Sequence, residues 1–414
     1  MDVIHPCCGG MDISKADAKV CVRVQGEGRR RAQETTTTWG SMTNQILALR
    51  DYLAEQHVTC VVMEATGDYW KPFYYLLESL SESGVELVLT NARQVKNLPG
   101  RKTDVSDAAW LAQLGAHGLV RASFVPPEPI RELRDLTRAR TILTRERTRE
   151  VQRIEKVLED AGIKLTLVAS DIMGASGRAM LAQLIAGQRD TTVLADLAKG
   201  VLRNKTAALT EALTGRFTEH HAFLVGLHLD LIDQRSAKID EVTARIDAAM
   251  APFHALRELL TSIPGVSTRV ADVIIAETGG DMSRFPTAGH LASWAGVCPG
   301  HHESAGRTKS SKTRPGDRYL KGALGIAALS IARTQGTFLN AKYRRLAKRL
   351  GNLQALVAIE HTILVTVWNM ITTGAYYTEA GPDYYLRHNP ERTERNAIRQ
   401  LRALGYEVTL KRTA

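Results

Sequence analysis

The first 125 residues constrain the fold most, because strand-like and helix-like segments alternate along them. Val20, Val22 and Val24 alternate with polar or charged neighbours, which is the period of a half-buried strand. Three strand-like segments come first, and two apolar strands then alternate with helical segments: 41–56 (helix), 58–65 (strand), 72–80 (helix), 86–91 (strand). This order predicts an α/β domain with a mixed sheet covered by helices on both faces.

Four acidic residues stand at the ends of these segments. Asp12 lies near the turn between the first two strands, and Glu64 ends the apolar strand VTCVVMEA. Asp104 and Asp107 lie where a loop becomes a helix, and residues three apart on a helix share a face. Clustered carboxylates repel one another unless a cation joins them, and oxygen ligands suit Mg²⁺ or Mn²⁺. The sequence therefore indicates a divalent-metal site at the strand ends.

Each acid also has a simpler interpretation when it is taken alone. Asp12 fits a turn and Glu64 an exposed strand end. Asp104 fits a helix N-cap, and Asp107 fits a first helical turn, where the helix dipole favours acids. The order strand, strand, helical pair is what favours the metal site over these separate roles.

Composition indicates a polyanionic partner. The 414 residues carry 54 Lys and Arg against 44 Asp and Glu, giving a formal charge of +10. Nucleic acid is the commonest partner of such chains. Five cysteines without a C-x-x-C pair indicate a reduced, cytoplasmic protein, and the N-terminus does not resemble a signal peptide. The apolar stretch 353–371 contains Glu360 and His361, which predicts a core helix and not a membrane span.

Prolines near residue 126 mark a boundary, after which the chain is helical. We predict four regions: 1–125, a helical or coiled-coil arm at 126–255, a mainly helical domain at 256–380 and a basic tail at 381–414. In the arm, Leu136, Leu143, Ile154 and Leu158 line one helix. The seam predicted for a second helix, from Glu219, is Leu224, Leu231, Ile239, Val242 and Ile246. The two helices could form an antiparallel hairpin or pair between subunits.

The arm's first helix is rich in arginine, and Arg138, Arg140 and Arg145 are candidate nucleic-acid contacts. A solvated basic face is the equally plain alternative. Further on, IPGV joins two helical segments, a pattern similar to the helix-hairpin-helix element. Gly265 would then help present backbone N–H groups to a phosphate. An ordinary structural helical hairpin is the alternative.

A polar loop at 299–316 follows, between two apolar helices. Glycine and serine are frequent in it, and a flexible linker would explain these but not its cations. The cations in and just after this loop are candidate phosphate contacts: Arg307, Lys309, Lys312, Arg314, Arg318 and Lys321.

These motifs together resemble a known family. GMDISK, VVMEATGDYW and KTDVSDAAWLA resemble the N-terminal RuvC-like (RNase H-like) domain of the DEDD transposases of insertion sequences. The segment from ASWAGVCPG to GDRYLKGAL resembles their C-terminal transposase domain. Both motif sets occur in the family's order and together extend over nearly the whole chain.

The resemblance implies a mechanism and partners. Asp12, Glu64, Asp104 and Asp107 would hold Mg²⁺ or Mn²⁺, and Ser304 would be the nucleophile, with Ser310 and Ser311 as other registers. It also implies DNA as substrate, a bridge RNA as guide, a homo-oligomer (dimer or tetramer), no membrane, and a nucleoid-associated location in a bacterial cytoplasm. The alternatives are a metal-dependent nuclease or resolvase in which water attacks, and a non-catalytic nucleic-acid-binding protein.

Overall fold

A computed structural model describes residues 2–26, 30–65, 67–92, 95, 106–300, 302–388 and 390–410. The chain divides into two compact units, Met1–Pro126 and Pro127–Ala414. The finer division of the second unit into arm, C-terminal domain and tail stays a prediction.

The first unit is built on a five-stranded mixed sheet. Its strands are β1 (Cys7–Ile13), β2 (Asp17–Val24), β3 (Gln33–Gly40), β4 (Cys60–Glu64) and β5 (Glu86–Thr90). Their order in the sheet is β3-β2-β1-β4-β5. Strands β1 to β3 pair antiparallel, whereas β4 runs parallel to both β1 and β5. The predicted mixed sheet is confirmed.

Helices cover both faces of this sheet. Helices α1 (Thr43–Glu55) and α2 (Trp70–Leu77, extended by a 3₁₀ turn at Glu78–Ser83) share a core with the side of the sheet that bears Met11 and Met63. Helix α3 (Asp107–Ala116) packs on the side that bears Cys8 and Val62. Side chains point alternately to opposite faces of a strand, so each apolar strand supplies both cores.

Two long helices begin the second unit. Helices α4 (Glu128–Asp160) and α9 (Glu219–Ala249) pack against each other. They run antiparallel, because Asp160 contacts His221 while Arg147 contacts Ser236. Of the two pairings left open by the sequence, this chain forms the hairpin within itself.

The seam predicted for α9 is only partly correct. The residues buried at a strict seven-residue spacing are Val225, Ile232, Ile239 and Ile246. Leu224 and Leu231 are half-buried, so the first half of the predicted seam was one position off. A constant heptad is the period that holds one face against a partner helix, and the predicted set had uneven spacing.

Short helices between α4 and α9 form a separate small core. They are α5 (Leu165–Val168), α6 (Ala175–Ile185), α7 (Thr191–Asp196) and α8 (Thr206–Ala212), with a 3₁₀ turn at Gly200–Lys205. Their apolar side chains pack with Ile154, Leu158, Val225 and Ile232 of the long helices.

The rest of the chain forms the largest core. Its helices are α10 (His254–Thr261), α11 (Thr268–Thr278), α12 (Ala288–Trp294), α13 (Arg318–Arg333), α14 (Phe338–Leu350) and α15 (Asn352–Thr373). Two 3₁₀ turns, Ala251–Phe253 and Met282–Arg284, connect them. A hairpin of β6 (His302–Ser304) and β7 (Arg307–Ser310) lies between α12 and α13. Helices α16 (Tyr384–His388) and α17 (Pro390–Ala403) follow.

Helix α15 occupies the centre of this core. By length and apolarity alone it could cross a membrane. However, Ile359, Ile363 and Val367 are fully buried among side chains from α11 to α13, as the sequence predicted for a core helix. Glu360 is buried beside them, and one of its carboxylate oxygens has no hydrogen-bond partner among the described residues. Burial raises the pKa of Glu360 from 4.5 to about 6, and nearby Lys321 opposes this only in part.

This buried acid predicts a pH-dependent stability. Because the folded pKa is raised, the folded state binds the proton more tightly than the unfolded state does. The contribution of Glu360 to stability is therefore greatest below about pH 4.5 and is lost as pH rises through 6. We expect Glu360→Gln to raise the free energy of unfolding by about 2 kcal/mol at pH 8 and to have little effect near pH 4, as measured by urea unfolding. The exposed Glu132→Gln controls for the lost charge, and an equal effect of Glu360→Gln at both pH values would contradict the assignment.

Candidate active site

Two of the predicted ligands stand at neighbouring strand ends. Asp12 is the penultimate residue of β1 and pairs with Lys19 of β2. Glu64 is the last residue of β4, which runs parallel to β1 with Met63 opposite Met11. The register therefore brings Asp12 and Glu64 to the same edge of the sheet.

Two glycines bring α3 down onto these strands. A Cβ atom at Gly10 would lie 2.1 Å from the Ala108 oxygen and 2.3 Å from the Ala112 nitrogen. A Cβ atom at Gly115 would lie 2.6 Å from the Cys8 sulfur. The backbones of α3 and β1 thus touch directly. Because Gly10 faces the first turn of α3 and Cys8 faces its end, the start of the helix lies over the carboxyl end of β1.

This packing brings Asp107 toward Asp12. Asp107 is the first residue of α3, and Ser106 caps the helix by accepting a hydrogen bond from the Ala109 N–H (3.2 Å). Burial raises the pKa of Asp12, the negative charge of Asp107 raises it further, and Lys19 opposes the shift. Asp12 and Asp107 are therefore two like charges that interact at the sheet edge.

The fourth predicted metal ligand, Asp104, lies outside the residues that the structure describes. Helix α3 begins at Asp107, so the predicted pairing of Asp104 with Asp107 stays a prediction. Among the residues that the structure describes, no three His, Cys, Asp or Glu side chains form a group that could hold a metal ion.

The close approach at Gly10 can be tested against its neighbour. A methyl group at Gly9 would meet Leu53 and Val61 at an ordinary 3.5 Å. We therefore expect Gly9→Ala to change the free energy of unfolding by less than about 1 kcal/mol. Gly10→Ala must displace α3 and should cost about 2 kcal/mol or more. Urea unfolding measures both, and equal effects would show that α3 does not depend on this contact.

The predicted nucleophile lies on a β-hairpin that sequence reasoning missed. Ser304 ends β6 and pairs with Arg307 of β7, so Ala305 and Gly306 form a two-residue turn. Both have positive φ, 52° and 71°, as in a type I′ turn. The strands are short and polar and lack an apolar alternation, so only the glycine of the turn gave a signal for them.

The hairpin places cations beside Ser304. Directly paired residues of neighbouring strands have adjacent side chains on one face, so Arg307 lies next to Ser304. Lys309 follows two residues further along β7, at a β-bulge that leaves it without a paired residue on β6. Ser304, Arg307 and Lys309 are all exposed. Of the serines within the two strands, Ser304 is the one that pairs directly with an arginine.

The base of the hairpin loop is closed by backbone contacts. A Cβ atom at Gly296 would lie 2.8 Å from the Gly316 nitrogen, so the two ends of the loop touch. The Lys321 ammonium donates to the Gly296 carbonyl (3.1 Å) and to the Thr313 hydroxyl (2.9 Å). Lys321, predicted to contact nucleic acid, thus ties the loop to α12.

The turn between β6 and β7 contains a strained residue, Ala305, and substitution by glycine should relieve the strain. Ala305 has the left-handed conformation, which costs a residue with a Cβ atom about 1 kcal/mol relative to glycine. We expect Ala305→Gly to slow hydrogen exchange of the amides paired between β6 and β7, and Gly306→Ala to accelerate it. Faster exchange in Ala305→Gly would contradict the turn geometry.

The arginines predicted on α4 are largely engaged within the protein. Arg138 donates to both Glu277 oxygens (2.8 and 2.7 Å) and to Asp317 (3.3 Å). Arg140 is 4% exposed and donates to the buried Asp272 (3.0 Å). Nucleic-acid contact by Arg138 or Arg140 would require these ion pairs to open.

The other residues predicted to contact nucleic acid are one glycine and several exposed cations. Gly265 has φ of 85° in the turn between α10 and α11, and its Cα packs against Ile331. The exposed cations among them are Arg145, Lys312, Arg314 and Arg318. The guanidinium of Arg318 lies over the Tyr319 ring, 4.9 Å from its centroid.

Comparison with known proteins relates both parts of the chain to one group. Residues 9–163 match a family model described as a transposase of the DEDD type of IS110, and residues 257–344 match the model "Transposase IS116/IS110/IS902 family". The first match contains Asp12, Glu64, Asp104 and Asp107, and the second contains Ser304.

Proteins of several insertion elements are similar to this chain, two of them over most of its length. A protein of insertion element IS900 from Mycobacterium paratuberculosis is 26% identical over 91% of this chain and 98% of its own length. A protein of insertion element IS110 from Streptomyces coelicolor is 32% identical, and the alignment covers 36% of each chain. A protein of insertion element IS116 from Streptomyces clavuligerus is 26% identical over 82% of this chain and 88% of its own length.

Proposed function

The chain belongs to the IS110 family of DNA transposases, and we propose that it cuts and rejoins DNA through a phosphodiester bond to Ser304. In this proposal Mg²⁺ is bound by Asp12, Glu64, Asp104 and Asp107 on a RuvC-like domain. A bridge RNA guides the choice of target, and the protein acts as a homo-oligomer in the cytoplasm.

The observation that carries the metal site is the approach of Asp107 to Asp12. The α3–β1 contact moves one carboxylate toward another, and the charge of Asp107 adds to burial in raising the pKa of Asp12. A fold gains nothing in stability from this repulsion. A divalent cation would reverse its sign, and a set made only of carboxylates suits Mg²⁺ or Mn²⁺. These residue types suit the ion, with Glu64 at the same sheet edge, although the described acids do not by themselves form a group that could hold it.

When bound, Mg²⁺ would stabilise negative charge on the reacting phosphodiester. Asp12 and Glu64 are fixed by strand pairing, so the backbone holds them in place without a ligand. Asp107 is fixed by the capped start of α3. Such preorganised carboxylates lose little conformational entropy on binding an ion.

The hairpin suits Ser304 to the role of nucleophile. Its hydroxyl is exposed at the end of β6, with Arg307 opposite it and the exposed Lys309 on the same neighbouring strand as Arg307. The two cations would attract and orient a phosphodiester. The serine oxygen then bonds to phosphorus as a bond from phosphorus to a deoxyribose oxygen breaks. The proton lost by the serine is balanced by the one that the leaving oxygen gains, and the phosphoserine ester retains the phosphodiester for rejoining.

Ser304→Ala tests the nucleophile. The variant should bind DNA normally, form no covalent adduct on a suicide substrate, and lose recombination by more than about 10³-fold. Ser310→Ala, at the end of β7 away from the turn, is the matched control and should retain activity. Peptide mapping should place the DNA on the peptide that contains Ser304. An adduct on Ser310 or Ser311 would contradict this assignment, and normal strand exchange by Ser304→Ala would favour attack by water.

Asp12→Asn tests the role of the sheet edge in cleavage. Loss of a charged ligand should lower strand cleavage by at least about 10- to 100-fold while DNA binding persists. The exposed Asp51→Asn, on α1, is the control for loss of one carboxylate. Full cleavage by Asp12→Asn would remove Asp12 from the catalytic centre.

A further inference from the structure

Helix α14 presents a basic surface that the sequence analysis overlooked. Its thirteen residues include five cations and no acidic residue. Arg344, Arg345, Lys348 and Arg349 are exposed. Among the described residues, none of these four forms an ion pair, although Arg345 stacks over the Tyr385 ring at 4.0 Å.

The contrast with α4 shows how this surface differs from another arginine-rich helix of the second unit. Helix α4 contains more arginines, but buried acids neutralise several of them: Glu277 pairs with Arg134 and Arg138, and Asp272 with Arg140. The arginine count of a helix therefore does not measure the charge that it offers to a ligand. On α14 that charge remains available.

A groove beside α14 continues this surface. It encloses about 530 Å³ between α14 and the two C-terminal helices, and Arg345, Arg349, His388 and Asn396 help to line it. Helix α17 also carries Arg395, Arg399 and Arg402, beside two acids, Glu391 and Glu394. Of these arginines, Arg399 reaches the groove lining, because it donates to the Asn396 side chain (2.9 Å).

The scaffold of the groove is held by contacts at the start of α14. The Asn340 amide, 4% exposed, donates to the Ile331 and Ala332 carbonyls and so ties α14 to the last turn of α13. Phe338 packs against Tyr384 and Tyr385, with ring centroids 4.9 and 5.6 Å apart, and so anchors α16. Cations on such a fixed frame pay less ordering entropy when they bind a ligand.

The helix dipole does not account for all the cations of α14. Lys348 and Arg349 lie in the last turn, where cations are favourable. Arg344 and Arg345 lie a turn earlier, where the effect has decayed. Positions four apart on a helix are about 6 Å apart along its axis, so Arg345 and Arg349 form a row that suits a repeating anion.

We propose that the groove between α14 and α17 binds the phosphate backbone of a nucleic acid. The proposal rests on the proposed function in that it takes nucleic acid as the ligand, and it does not depend on Ser304 or on the carboxylates. The binding is electrostatic and independent of base sequence, with phosphates along Arg345 and Arg349 and further contacts to Arg344, Lys348 and α17.

The test measures the salt dependence of binding by the full chain. Affinities for a duplex DNA and for an RNA with the same number of phosphates are measured by fluorescence anisotropy over a series of salt concentrations. Arg344→Gln/Lys348→Gln/Arg349→Gln should lower the slope of log affinity against log salt by about 1 to 3 units for the nucleic acid that occupies the groove. The probe that shows the loss identifies the ligand as DNA or RNA.

The matched control removes the same charge elsewhere. Arg149→Gln/Lys156→Gln/Arg245→Gln neutralises three exposed cations of the α4–α9 hairpin and should change the slope by less than about half a unit. Equal losses in both variants, or an unchanged slope in the α14 variant, would overturn the proposal. Salt-independent binding by the unaltered protein would overturn it together with the proposed function, whereas failure of the Ser304 adduct test would leave it standing.

Discussion

The direct backbone contact between α3 and β1 determines how the candidate catalytic edge is arranged. Two residues without side chains, Gly10 and Gly115, let the helix lie closer to the sheet than any Cβ atom would allow. That approach sets the position of the helix start, and hence of Asp107 relative to Asp12. The sheet supplies the other fixed points, because the parallel register of β1 and β4 brings Glu64 to the same edge.

In the second unit, buried ion pairs hold the helices in position relative to one another. Asp272 and Glu277 on α11 are fully buried, and arginines from α4, together with Arg257, bond to them. Removing one partner would leave a buried charge uncompensated, which costs on the order of 3–5 kcal/mol. Through Arg138 the same network reaches Asp317, the N-cap of α13. The end of the serine loop is thereby anchored to the long helical hairpin.

The sequence analysis predicted the helices and strands that show a periodic pattern. It missed the features that depend on contacts between residues distant in sequence. Four strands of the sheet, the long helices and the core helix α15 have apolar patterns, and each was found, as was the polar strand β3. The β6–β7 hairpin has no such pattern and depends on the closed ends at Gly296 and Gly316. The basic surface of α14 was missed and that of α4 was overestimated, because composition does not show which cations meet buried acids. The metal-binding and nucleophilic roles of the predicted residues stay predictions.

The account depends most on a shared cation at Asp12 and Asp107, and a double-mutant cycle on Mn²⁺-induced stabilisation tests this directly. Melting temperatures of the unaltered protein, Asp12→Asn, Asp107→Asn and the double variant are measured with and without Mn²⁺. A shared site predicts that Mn²⁺ raises the melting temperature of the unaltered protein, that either substitution removes most of the rise, and that the double variant loses little more. No rise in the unaltered protein, or strictly additive losses, would contradict the account.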